Sequence, residues 1–168
     1  MNVTFQDAVE KCPETGLVAV KTGADVGDDF RATGLLGSFC LTKRVFFLIV
    51  GRNTGITKVL ALNTEPVFNC PIGNVTFEPG CRTFWHKHTG GQILLVLAGE
   101  GLYQERGKPA RCIKKGDVVQ IAPDVEHWHG ACAKHPMTHI SIETNVPNNK
   151  AIWLEAVTEG DYAEANKA

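Results

Sequence analysis

Six histidines, His86, His88, His127, His129, His135 and His139, all fall between residues 86 and 139 of a 168-residue chain. Random placement would scatter them along its length. Side chains alternate between the two faces of a β-strand, so in an extended segment His86 and His88 share one face while Trp85 and Lys87 take the other. The same parity pairs His127 with His129, leaving Trp128 opposite, and aligns His139, Ser141 and Glu143 as a third set. If all three faces turn inward, several imidazoles meet in one cavity, where desolvating them together without a ligand is costly. A metal ion relieves that cost, since neutral imidazole is a common ligand of zinc, manganese, iron, nickel and copper. A histidine near its intrinsic pKa beside a bound substrate can also take or deliver a proton at neutral pH, with His129 the first candidate. Glu143, on the face of His139, can orient that ring or act as a base itself.

The elements that would carry these residues are short. After residue 70, runs at 74–77, 82–88, 92–97 and 101–104 are separated by PG, TGG and AGE, which read as turns. Further runs follow at 110–113, 118–121, 127–130 and 137–144. Short strands at such spacing predict an all-β sandwich or barrel. Residues 45–50 and 57–62 read as two more strands, and 5–11 as a short helix. Trp153, Leu154 and Val157 stand at helix-like spacing before the chain frays into DYAEANKA. The expected organisation is an N-terminal arm over 1–45, a barrel over 46–158 with its motif core at 71–144, and a tail over 159–168. Trp85, Trp128 and Trp153 are expected to pack on the outside of the barrel, and His135 to sit in a solvated loop.

Composition narrows the function classes. With 17 basic and 18 acidic residues and a net charge of -1, the chain offers no basic stripe for nucleic acid. No stretch approaches the roughly 20 apolar residues of a membrane span, and MNVTFQDAVEKCPETG lacks the pattern of a secretory leader, so a cytoplasmic protein is expected. The six cysteines, Cys12, Cys40, Cys70, Cys81, Cys112 and Cys132, form no C-x-x-C pair and are read mainly as reduced core residues.

The run PGCRTFWHKHTGGQILLVLAGEG resembles the first motif of the cupin family, with Gly80 and Gly99 as its glycine anchors, and GDVVQIAPDVEHWHG resembles the second, starting at Gly116. Asp124 stands where the second motif often has glycine. The resemblance implies a double-stranded β-helix, a jelly-roll barrel with a short C-terminal helix or tail, and a metal held by His86, His88, Gln92 and His127. Gln92 takes the place of the glutamate most cupins carry. A neutral amide oxygen leaves the ion more positive, which favours Lewis-acid chemistry over dioxygen activation.

Within the family, the chain is similar to small bacterial single-domain cupins of the cupin 2 barrel type that include manganese-dependent hydroxynitrile lyases. The shared residues are Arg82, Thr83, Trp85, His86 and His88, then His127, Trp128, His129, Gly130 and Ala131, then Met137, Thr138 and His139. That similarity implies that Thr83, His129 and His139 act beside the metal, and Glu143 stands where those lyases carry glutamine. The resulting expectation is a homodimeric enzyme with one divalent ion per chain, manganese first and iron, nickel, zinc or cobalt as alternatives. It would act as a lyase or isomerase on a small oxygenated or carbonyl substrate. A dioxygenase-type cupin and a non-catalytic small-ligand binder are the competing readings.

Overall fold

The computed structural model describes residues 53–55, 57–63 and 66–168, together with the backbone of three short strands nearer the N-terminus. In chain order the strands are β1 (Val9–Lys11), β2 (Val18–Val20), β3 (Phe46–Phe47), β4 (Asn53–Thr54), β5 (Thr57–Asn63), β6 (Ile72–Phe77), β7 (Arg82–Thr83), β8 (His86–His88), β9 (Gln92–Glu105), β10 (Arg111–Lys114), β11 (Val118–Ile121), β12 (His127–Ala131), β13 (Met137–Glu143) and β14 (Ala151–Trp153); one helix, α1 (Glu159–Ala165), follows. The all-β barrel expected from the spacing is what forms. The helix expected at 5–11 ends in strand β1, and its remaining residues, like Cys12 and Cys40, lie outside the described ones.

Two sheets share β9. Its first half pairs with β11 and β13, and its second half with β10 and β12, so this one strand carries the chain from one sheet into the other. The AGE segment is therefore not a turn, contrary to the expectation from sequence. Residues 98–100 stay in the strand and bend it. Gly99 makes the bend possible, because it sits at φ 73 and a Cβ there would run into the carbonyl oxygen of Pro136. The paired strand β13 shifts register between Thr138 and His139 at the same level, as expected where a sheet must curve.

The single run expected at 82–88 is divided into β7 and β8, which both pair with β12. Strand β14 then adds to the edge of β8, with Trp153 opposite His86 and Ala151 opposite His88. Here the structure corrects the sequence reading a second time. Trp153 lies in a strand rather than at the start of a helix, and the helix forms at Glu159–Ala165, within the segment expected to fray. Its signal is local: Thr158 caps the first turn by accepting from the Asp161 backbone N–H at 3.0 Å. Only Tyr162 and Ala165, one turn apart, are buried, too few apolar positions to mark an amphipathic pattern.

Burial falls into two clusters on opposite faces of the second sheet. Between the sheets, Val75, Phe77, Leu94, Val96, Tyr103, Ile113, Val119, Ile121 and Met137 fill the barrel below the histidines. Outside, Trp85, Leu102 and Trp128 are covered by Val157, Tyr162 and Ala165. Strand β12 is consequently buried on both faces, His127 and His129 inward and Trp128 outward. The Tyr162 hydroxyl donates to the Ala131 carbonyl at 2.8 Å, while Arg82, itself buried, lies 4.1 Å from the Tyr162 ring centre and donates to Val157 and Glu159. Removing one such hydroxyl costs about 1 kcal/mol, and truncating a buried tryptophan about 3–5 kcal/mol. Tyr162→Phe is therefore expected to lower unfolding free energy modestly and Trp128→Ala severely, as read by urea denaturation.

Candidate metal and catalytic site

Five of the six histidines meet inside the barrel. His86, His88, His127, His129 and His139 are at most 5% exposed, and His135 lies in an exposed loop as expected. Strand β8 supplies two of the rings, β12 two more, and β13 the fifth. The strand register explains the meeting, because His127 pairs directly with His86 and His129 with Tyr103, placing their side chains on one inner face.

His86 and His127 form the centre, with ring centroids 4.2 Å apart. His88 and His129 flank this pair at similar distances, 5.3 and 5.4 Å from His86, and 6.0 and 5.9 Å from His127. His139 lies beyond His129, at 4.9 Å, with the Phe77 ring stacked on it at 5.8 Å. The donor atoms of His86, His127 and His129 all lie within 4.8 Å of one another, a grouping that could hold a metal ion. It overlaps the set expected from sequence in His86 and His127, and brings in His129 where the expected set has His88.

The hydrogen bonds fix which nitrogen faces the cavity. Nδ1–H of His86 donates to the Phe84 carbonyl and Nδ1–H of His127 to the Val125 carbonyl, each at 2.9 Å. A neutral ring that uses Nδ1 as donor presents its lone pair at Nε2. Gln92, at the start of β9, donates its amide N–H to the Ser141 hydroxyl at 2.8 Å, which turns Oε1 toward His127 Nε2 at 3.2 Å. His127 Nε2 and the Gln92 amide oxygen thus converge on the same part of the cavity, and imidazole nitrogens beside an amide oxygen are a donor set that suits a divalent metal.

Neighbouring polar atoms have a similar character. Nδ1 of His88, Nδ1 of His129 and both ring nitrogens of His139 are buried without a hydrogen-bond partner. Unsatisfied buried groups are rare, and their concentration in one cavity marks a place built to receive a ligand. The Thr83 hydroxyl is held by the backbone of His129, donating to its carbonyl and accepting from its N–H at 3.2 Å each. Glu143 is half-buried next to Gln92 in the β9–β13 pairing, and burial raises its carboxyl above the usual range. Trp153, expected outside the barrel, stands instead 4.7 Å from the His86 ring. Its register opposite a histidine was the only available signal, and that pairing is not visible in the sequence.

Burial dominates the electrostatics. Desolvation, reinforced by the charge His127 would carry, lowers His88 to about 4; desolvation alone, opposed by the Val125 carbonyl, lowers His127 to about 4. His139 is pushed down to about 4 by burial, which outweighs an opposing effect of the Ile140 backbone. Burial also holds His86 and His129 well below the ordinary histidine value, with neighbouring imidazoles adding to the effect. All five rings are thus free bases at neutral pH, the form that binds metals and accepts protons.

Asp124 adopts φ 62, so it takes the left-handed turn for which the motif uses glycine, and its N–H donates to the His88 carbonyl at 2.9 Å. Residues 73–143 match the cupin domain family. An (R)-mandelonitrile lyase from Granulicella tundricola is 41% identical over 104 residues, which cover 58% of this chain and 79% of that protein. A cupin-like protein from Thermotoga maritima superposes with a TM-score of 0.66 at 53% identity, over 68% of this chain and 88% of that one. A cupin-2 domain protein from Rhodospirillum rubrum shares the fold alone, with a TM-score of 0.58 at 16% identity over 75% of this chain and 83% of that one. With its paired motifs, shared barrel and the extent of these matches, the chain belongs to the cupin family.

Proposed function

We propose that the chain is a metal-dependent lyase that cleaves a small cyanohydrin to a carbonyl compound and hydrogen cyanide. The observation that carries the metal half of this reading is the convergence of buried imidazoles on one cavity, with Gln92 Oε1 3.2 Å from His127 Nε2. The reaction half is supported by the likeness to the (R)-mandelonitrile lyase, whose name gives its substrate. His86, His88, Gln92 and His127 would hold the ion, which when bound supplies Lewis acidity to a substrate oxygen.

His129 takes the proton from the substrate hydroxyl. Its ring is a free base beside both central rings and His139, and because those imidazoles disfavour a lasting charge on it, the proton it accepts is readily given up again. As the carbon–carbon bond breaks, its electron pair leaves with cyanide, the carbonyl forms from the deprotonated oxygen, and cyanide takes up the proton from the imidazolium. Thr83 keeps His129 in place through its backbone. Phe77, edge-on to His129 at 5.7 Å, offers an apolar surface to the rest of the substrate. Glu143, whose carboxyl burial pushes above its usual pKa, would help to orient the site beside Gln92.

Manganese is the first candidate for the ion, and elemental analysis of protein from its native host tests it. About one ion per chain is expected for the wild type and close to none for the His86→Ala/His127→Ala double variant; full metal content in that variant contradicts the ligand set. His129→Ala is expected to keep the ion while mandelonitrile turnover falls about 10²–10⁴-fold, as for a lost acid–base group. Loss of the ion from that variant would make His129 a ligand instead.

Acid should weaken the metal-free protein. Three rings that titrate near 6.5 when unfolded are lowered to about 4 in the fold, so between these values the unfolded chain binds more protons and stability falls with pH. Urea unfolding midpoints of the metal-free protein are expected to drop steeply across that window. Saturating manganese at its upper end should raise the midpoint by binding the native state alone. A flat midpoint from pH 6.5 to 4 contradicts neutral burial of these rings.

A further inference from the structure

We propose that Trp153 is the positioning residue of His86, holding its imidazole in the plane that directs Nε2 at the ion; this rests on the metal reading above. Among the described residues, four rings contact His86, those of His88, His127, His129 and Trp153. The first three are imidazoles of the cluster. The indole differs, since its N–H is a donor without a lone pair to offer a metal. What it brings is a large flat surface, at 4.7 Å and 33° to the His86 ring.

Strand pairing sets this contact. Trp153 lies directly opposite His86 in the β8–β14 ladder, so both side chains stand on the same inner face. Backbone bonds flank the pair, Leu154 N–H donating to the Trp85 carbonyl at 2.8 Å and Trp85 N–H to the Glu155 carbonyl at 2.9 Å. The indole is therefore delivered to His86 from a hydrogen-bonded backbone.

Among the described residues the His86 ring makes one hydrogen bond, Nδ1–H to the Phe84 carbonyl, which sets the tautomer; tilts of the ring about its Cβ–Cγ bond are limited by the rings packed against it. Groups that orient a ligating histidine typically change metal affinity by about 10–100-fold when removed. The indole face also favours positive charge, and an imidazole that has donated its lone pair to a divalent ion carries some of it. Trp153 is half-buried in β14 and belongs to neither core cluster, so its removal empties neither.

The test compares Trp153→Phe with Trp153→Leu and Trp153→Ala in the full chain. Manganese affinity is measured by calorimetry, and the ¹⁵N imidazole spectra of the metal-free proteins are recorded. Trp153→Ala and Trp153→Leu are expected to weaken manganese binding about 10-fold or more. They should also shift and broaden the His86 ring signals as its orientation loosens, with the His127 signals unchanged. Trp153→Phe should restore both properties nearly to wild type, because it keeps a ring in place. Trp153→Leu stands in for Trp153→Ala if the smaller residue does not fold. Unchanged affinity and unchanged His86 shifts in Trp153→Leu overturn the proposal, as does a Trp153→Phe protein as impaired as Trp153→Leu. A wild-type protein that binds no manganese, zinc or cobalt overturns the metal reading, and the metal-free spectra then decide the role of Trp153 separately.

Discussion

The whole site depends on keeping unprotonated nitrogen lone pairs away from water. Five imidazoles buried together resist protonation, and two of them are anchored by Nδ1–H bonds that leave Nε2 facing inward. Such a cluster is destabilising unless something positive binds it, because it gives up hydration without internal partners.

The scaffold meets this demand by burying both faces of the strand that carries most of the cluster. Strand β12 presents His127 and His129 inward while Trp128 and its neighbours pack beneath α1. An open sheet with a solvated back would hold the inward rings less firmly. The C-terminal segment is thus part of the site although no residue of α1 reaches it: β14 lines the edge of β8, and the helix clamps β12 through Tyr162 and Ala131. The bend at Gly99 is the other requirement. It lets β9 place Gln92 in one sheet, and Tyr103 beside His129 in the other.

Much of this was legible in the sequence. Alternation identified His86/His88, His127/His129 and His139 as same-face sets, and the turn punctuation gave the strands at 118–121, 127–130 and 137–144 almost to the residue. What failed were inferences that needed the third dimension. The glycine in AGE signals a positive φ, which serves a turn or a bend equally well, and only the pairing of β9 with four neighbours shows which. Trp153, Leu154 and Val157 have helical spacing, yet pairing with β8 outweighs local pattern for a segment that short. The ring contact between Trp153 and His86 comes from inter-strand register, which one sequence does not encode in any local signal. Asp124 is an intermediate case: the motif marks a left-handed turn there, and aspartate can adopt it.

The central claim is that buried imidazoles and an amide oxygen surround a single cation. X-ray absorption spectroscopy of the manganese-loaded protein tests it most directly, because rigid imidazole ligands leave multiple-scattering features that water and carboxylate do not. The account predicts a sphere of nitrogen and oxygen donors with about three imidazoles, losing imidazole scattering in the His127→Ala protein. A spectrum fitted by water and carboxylate oxygen alone, the same in both proteins, would contradict it.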